Sequence, residues 1–221
     1  MRVWIPDRPG ALGLVASRIG AVGGDIAGID VLERNPTVAV DEFAVILPRR
    51  DLEDLLVREI EQVDGAWVEE CREVEEFPDA RTDALVSTER LCAASDRASL
   101  LQELADDLRA EFSARWTAVL SRGSIAARSG SSVPDAGRLA ELAELFAPGR
   151  SHSAAVHGAA DPQPAGSDPD DHDVAVAAIP GVDALLLAGR EGHPFRVRER
   201  RQLLALSRIT DLIAARLPDS P

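Results

Sequence analysis

The residues whose types and spacing could do chemistry lie near the start of the chain. They are Asp7-Arg8-Pro9-Gly10-Ala11-Leu12 and, after a short apolar-periodic stretch, Gly23-Gly24-Asp25-Ile26. The chemistry they suit is capture of a small zwitterion. Pro9 has φ preset for the first position of a helix and no N–H to leave unpaired. It also biases Arg8 away from helical angles, so a strand must give way to a helix here, with the helix beginning near Pro9. Gly10 has no Cβ, which lets a ligand approach its backbone. The N–H groups of Gly10, Ala11 and Leu12 would point out of the helix start toward a carboxylate. Asp7 and Asp25 would hold the ammonium, provided that the strand opened by Asp25 lies beside the first. The same residues also suit an ordinary turn and helix entry, so the surrounding elements must decide between the two.

Those elements follow from periodicity. Val3, Trp4 and Ile5 form an apolar run that reads as a strand ending at Pro6. Leu12, Val15, Ile19 and Val22 recur at spacings of three and four, which predicts one packed helical face, and Gly23-Gly24 ends that helix. Strands are predicted over 26–34 and 38–47, turned by Asn35-Pro36-Thr37. A helix over 51–63 carries Leu52, Leu55, Leu56, Ile60 and Val63 on one face, and a last strand covers 67–74. This βαββαβ order predicts an α+β, ferredoxin-like plan: an antiparallel four-stranded sheet with two helices on one face.

In that setting residues 2–74 resemble an ACT domain, a small regulatory module of amino-acid metabolism. The resemblance is carried by Asp7-Arg8-Pro9-Gly10-Ala11-Leu12 and Gly24-Asp25-Ile26. It implies an amino-acid ligand between the first strand–helix loop and the start of the second strand, commonly across a subunit interface. The implied ligand-binding residues are Asp7, Arg8, Pro9, Gly10, Ala11, Leu12, Asp25 and Ile26. Asp25 stands where the family often has asparagine.

Charge and composition exclude several functions. Residues 1–80 hold 8 Arg against 18 acidic residues, whereas residues 81–221 hold 16 against 20. An acidic first half is not expected to attract nucleic acid or anionic lipid. Every basic residue is Arg, so no Walker or Schiff-base lysine exists. No stretch has the length of a membrane helix or the pattern of a signal peptide, so a soluble, cytoplasmic protein with no membrane partner is expected. Cys71 and Cys92 match no zinc or redox spacing and are expected to be reduced and unpaired.

A charged, proline-containing hinge at Glu75-Glu76-Phe77-Pro78-Asp79 separates two predicted domains, 1–76 and 83–221, with 77–82 as linker. The second begins with helices over 84–94 and 98–112, the latter capped by Asp96. A strand pair over 116–121 and 124–128 turns at Gly123 and is followed by a helix through Phe146. Residues 149–173 are poor in apolar side chains and predict a mobile surface loop. Its His152, His157 and His172 beside Asp168, Asp170, Asp171 and Asp173 fit no metal-ligand spacing. Strands over 174–179 and 184–188 and a helix over 197–217 close the chain. Val174–Pro180, Ala184–Gly189, Gly192, Phe195, Glu199, Leu203-Leu204 and Leu206 resemble the closing part of a GAF domain. That resemblance, over about 83–217, implies a mixed sheet with helices across one face, built to hold a small ligand or to pair with a copy of itself. Lacking lysine and a suitably placed cysteine, the domain is not expected to bind cyclic nucleotide or bilin.

Arg196, Arg198, Arg200 and Arg201 crowd the start of the last helix, where cations are disfavoured. An acidic group, on the first domain or elsewhere, is expected to compensate. No nucleophile elbow, metal-spaced pair or phosphate loop is present, and Gly20–Gly24 ends a helix instead of opening one after a strand. The chain is therefore read as a non-enzyme without cofactor, a homodimeric regulator that binds an amino acid. A structural adaptor without ligand and an unrecognised enzyme are the alternatives. The dimer follows from the exposed edges that a lone four-stranded sheet must cover.

Overall fold

A computed structural model describes residues 1–74, 79–146 and 172–218. The chain divides into two compact units that meet between Asp79 and Ala80. The hinge residues 75–78 and the loop residues 149–171, with His152, His157, Asp168, Asp170 and Asp171, lie outside the described residues.

The first unit runs β1 (Arg2–Pro6), α1 (Ala11–Ala21), β2 (Asp25–Arg34), β3 (Val38–Ile46), α2 (Glu53–Glu61) and β4 (Trp67–Glu70). The four strands form one sheet in the order β2-β3-β1-β4, with every neighbouring pair antiparallel. Alternation along β1 sends Val3 and Ile5 into a core shared with Phe43, with Val15 and Ile19 of α1, and with Leu56 and Ile60 of α2. Trp4, of opposite parity, stacks on Trp67 with ring centroids 5.3 Å apart. The buried face of α1 is Ala11, Val15 and Ile19, and Leu12, expected on that face, is exposed. α1 begins at Ala11 behind Gly10, and Leu12 stands one position, about 100°, off the row Ala11, Val15 and Ile19 that meets the sheet. In α2, Leu56 and Ile60 are buried while Leu55 lies at the surface. A 3-10 turn at Arg50–Leu52 replaces the expected first helical turn.

The second unit runs α3 (Ala80–Cys92), α4 (Arg97–Glu111), β5 (Trp116–Ser121), β6 (Ser124–Gly130), α5 (Ala136–Phe146), β7 (His172–Ile179), β8 (Ala184–Glu191) and α6 (Val197–Ala214). Its sheet has the order β6-β5-β8-β7 and is antiparallel throughout its described strands, not mixed. Two hairpins with short turns fix the outer pairs, since such turns can join only antiparallel strands, and β5 and β8 pair antiparallel at the centre. Helices also cover both faces instead of one. Val119, Ala175, Ala177, Leu186 and Ala188 face Leu100, Leu104 and Leu108 of α4 and Leu203 and Leu206 of α6. Trp116, Ala118, Leu120, Val174, Val176 and Leu187 face Leu139, Leu142 and Ala143 of α5. Each strand thus divides its apolar residues between two cores by alternation, which explains why β5 is buried almost end to end. Asp96 caps α4 by accepting from the Ser99 N–H at 2.9 Å.

Candidate functional site

The turn after β1 is built by three neighbouring connections at one pole of the first sheet. Asp7 N–H donates to Thr37 C=O at 2.9 Å, which ties the β1–α1 loop to the β2–β3 turn. That turn is shaped by Asn35, whose side-chain oxygen accepts from the N–H groups of Thr37 and Val38, both at 2.9 Å. Gly65, between α2 and β4, approaches the Pro6 ring so closely that a Cβ there would stand 2.7 Å from it. Gly10 caps α1 in the left-handed region at φ 87°, a conformation that favours glycine, and a Cβ at that position would meet open space. Its glycine is therefore required by backbone conformation as well as suited to close approach.

Charge at this pole is already paired. Arg34, at the end of β2, donates from both Nε and Nη2 to the two oxygens of Asp7 at 2.8 Å, a bidentate fork on the carboxylate. Those hydrogen bonds hold the Asp7 carboxyl below its ordinary value. Arg8 reaches Asp64 at 3.4 Å. One of the three helix-start amides, that of Ala11, is taken by the Arg8 carbonyl at 3.2 Å. Asp41 is a residue the sequence reading passed over: it is buried on β3 beside Val3 and pairs across to Val31. Burial pushes its carboxyl up, with Arg34 pulling the other way, and one of its oxygens has no hydrogen-bond partner. The signal available in the sequence was its place two residues before Phe43 and four before Val45, on strand parity that points to the core.

Asp25 and Ile26 are not at this pole. Both β1 and β2 are antiparallel to β3, so they are parallel to each other, and β3 lies between them. Pro6 pairs with Val38, whereas Asp25 pairs with Ile46, eight positions further along β3. At the strand rise this separates Asp25 from the Asp7 turn by roughly 26 Å. The expected joint use of Asp7 and Asp25 for one ammonium therefore fails within a single chain. The physical reason is that α1 carries the chain back across the sheet before β2 begins.

In the second unit Arg200, in the basic start of α6, is compensated from within the unit. Arg200 donates from Nη2 to both oxygens of Asp173 at 2.8 and 2.7 Å, and Arg190 forks onto Glu199 through Nη1 and Nη2 at 2.8 and 2.9 Å. Arg190 also donates to the carbonyls of Phe112, His193 and Pro194 and lies 4.2 Å over the Phe195 ring. Arg196 is buried, and its N–H donates to Glu199. Asp173, expected in the loop, belongs to β7 and is buried under this clasp. Among the described residues no group of three or more His, Cys, Asp or Glu side chains is placed to hold a metal ion. No helix among them is long and apolar enough to cross a membrane.

No family model matches the chain, and no curated protein does. Among solved structures it is similar to a bacteriophytochrome, RpBphP3 from the photosynthetic bacterium R. palustris, at 12% identity and a TM-score of 0.41. The match covers 84% of this chain and 42% of that one, so the chain spans less than half of that protein's length.

Proposed function

We propose that the protein is a non-catalytic regulator in which an ACT-like module, residues 1–76, binds an amino acid and passes its occupancy to a GAF-like unit over 83–221. The observation that carries this reading is the position of the Asp7–Leu12 motif. It occupies the first strand–helix junction of a βαββαβ unit with strand order β2-β3-β1-β4, and Gly10 is left-handed at the start of α1. Such a junction presents backbone amides to a carboxylate. Because Asp25 and Ile26 sit at the opposite pole, their partnership with Asp7 requires a second copy. β2 is an edge strand with Ile29 and Val31 exposed, a surface that twofold pairing would cover. In the second unit, two residues that carry the GAF resemblance tie its elements together: Gly189 of β8 packs on Trp116 of β5, and Glu199 of α6 accepts from Arg190 of β8.

The test is a thermal-shift screen of the full chain against the standard amino acids, together with sedimentation velocity. A melting temperature raised by one or a few of them, in a dimer, is the expected result. A monomer that no amino acid stabilises would remove the reading. A structural adaptor is the second reading, and one observation favours it: Asp7 and Arg8 already hold partners, Arg34 and Asp64. A stable dimer unmoved by every amino acid would select it.

A further inference from the structure

The pole of the first unit opposite the Asp7 turn holds a cavity of about 490 Å³. This lies within the size range of small-molecule sites, roughly 300–1,000 Å³. It opens where β3 ends and β2 begins, and its apolar wall is formed by Phe43, Val45 and Leu56. Charged groups of both signs stand around it, among them Glu53 and Arg72, and Cys71 is also in the lining. Such a wall with a few polar groups of opposite sign is the composition of a site for an amphiphilic ligand, not of unfilled core.

The polar groups are held by weak partners. Glu53, in the first turn of α2, receives its hydrogen bond from the Cys71 thiol. Burial and that contact push the thiol up to about 11, so Cys71 remains a neutral donor. A thiol is a weak donor, whereas an ammonium would make a charge-assisted bond to the same carboxylate. Arg72 lies 3.8 Å from Glu70 through Nε, beyond hydrogen-bond range, and its guanidinium can fork onto a carboxylate.

We infer that this cavity binds an α-amino acid with a large apolar side chain, its ammonium at Glu53, its carboxylate at Arg72 and its side chain against Phe43, Val45 and Leu56. The site is complete within one chain. It does not depend on whether the Asp7 turn binds anything.

The experiment uses the full chain with L-phenylalanine as probe and glycine, which has no side chain, as control. Titration calorimetry is expected to show L-phenylalanine binding at least tenfold more tightly than glycine. Saturating L-phenylalanine is expected to slow alkylation of Cys71 by iodoacetamide at least fivefold while leaving Cys92, exposed on α3, unchanged. Glu53→Gln and Arg72→Ala are each expected to weaken binding at least tenfold, and Arg122→Ala, at an exposed turn of the second unit, to leave it unaltered. Absence of binding, or binding with Cys71 unprotected, overturns the inference. So does loss of binding in Gly10→Ala with Glu53→Gln intact, which would place the ligand at the Asp7 turn and leave the regulatory reading standing. Should Glu53→Gln fail to fold, the alkylation pattern of the unaltered chain decides.

Discussion

Two arginine–carboxylate forks of the same chemistry sit in the two units, in opposite surroundings. Arg190 and Glu199 are 2% and 6% exposed, whereas Arg34 and Asp7 are 69% and 21% exposed. The buried fork is completed by three backbone carbonyls and an aromatic ring, so every donor of the guanidinium is used in closing β8 against α6. The exposed fork competes with water and has little to lose by exchange. The same arginine–carboxylate pairing thus locks a fold in one place and leaves an exchangeable anion and cation in the other. A regulatory surface is expected at the second kind of site, not at the first.

The largest expected effect separates the two. Arg190→Met leaves Glu199 buried without its cation and should destabilise the second unit by about 3–5 kcal/mol, read in urea unfolding followed by circular dichroism. Combining it with Glu199→Leu should recover much of that loss, since the cost arises from the unpaired charge. If the single variant melts like the parent, the buried fork is not structural.

A half-buried carboxylate without a cation sharpens the contrast. Burial pushes the Glu111 carboxyl from 4.5 up to about 7, with a hydrogen bond from Gln202 pulling it down, and its second oxygen has no partner. A folded value above the unfolded one means that the folded state keeps its proton longer. Stability from this group is therefore whole below pH 4.5 and lost as pH rises through about 7, by at most about 3 kcal/mol. Glu111→Gln should flatten that decline and stabilise the protein at pH 8. An unchanged pH profile of the melting temperature would show that Glu111 ionises freely.

Packing gives the next effect. A Cβ at Gly189 would stand 2.2 Å from the Trp116 ring, so Gly189→Ala should cost about 2 kcal/mol and change the Trp fluorescence. At the exposed pole, Gly10→Ala meets no steric obstacle but must hold φ at 87°, for about 1 kcal/mol. Smallest of all, Arg34→Ala and Asp7→Asn should leave the melting temperature within experimental scatter. A clear loss of stability in either would break the distinction between the two forks.

Most elements were legible in the sequence because their signals are local. Trp116–Ser121 shows its strand by composition and by the turn at Gly123, and Asp96 shows its cap by standing before the leucine row of α4. Boundaries moved where two local signals compete. Pro9 invites a helix, but Gly10 takes a left-handed conformation, so α1 starts only at Ala11. At the candidate site the turn was legible and its partners were not. Nothing near Asp7 announces Arg34, and Asp41 reads as an interruption in a strand until the pairing of β3 with β1 places it beside Val3. The basic run at the start of α6 was visible as an imbalance. The compensation of Arg200 by Asp173 was not, because that partner comes from β7, far back in the chain.

Sequence by itself determined what short-range physics controls: the βαββαβ order, the glycine-capped turns, the apolar faces and the absence of lysine chemistry. Only the tertiary structure decided which ends of those elements meet. Strand order inserted β3 between β1 and β2, the β2–β3 turn brought Arg34 to Asp7, and the far end of β3 came to line a cavity with residues 71–74. The reason is that side-chain periodicity specifies which face of a strand is buried. The neighbour that a strand chooses depends on contacts between residues far apart in the chain, which no local pattern records.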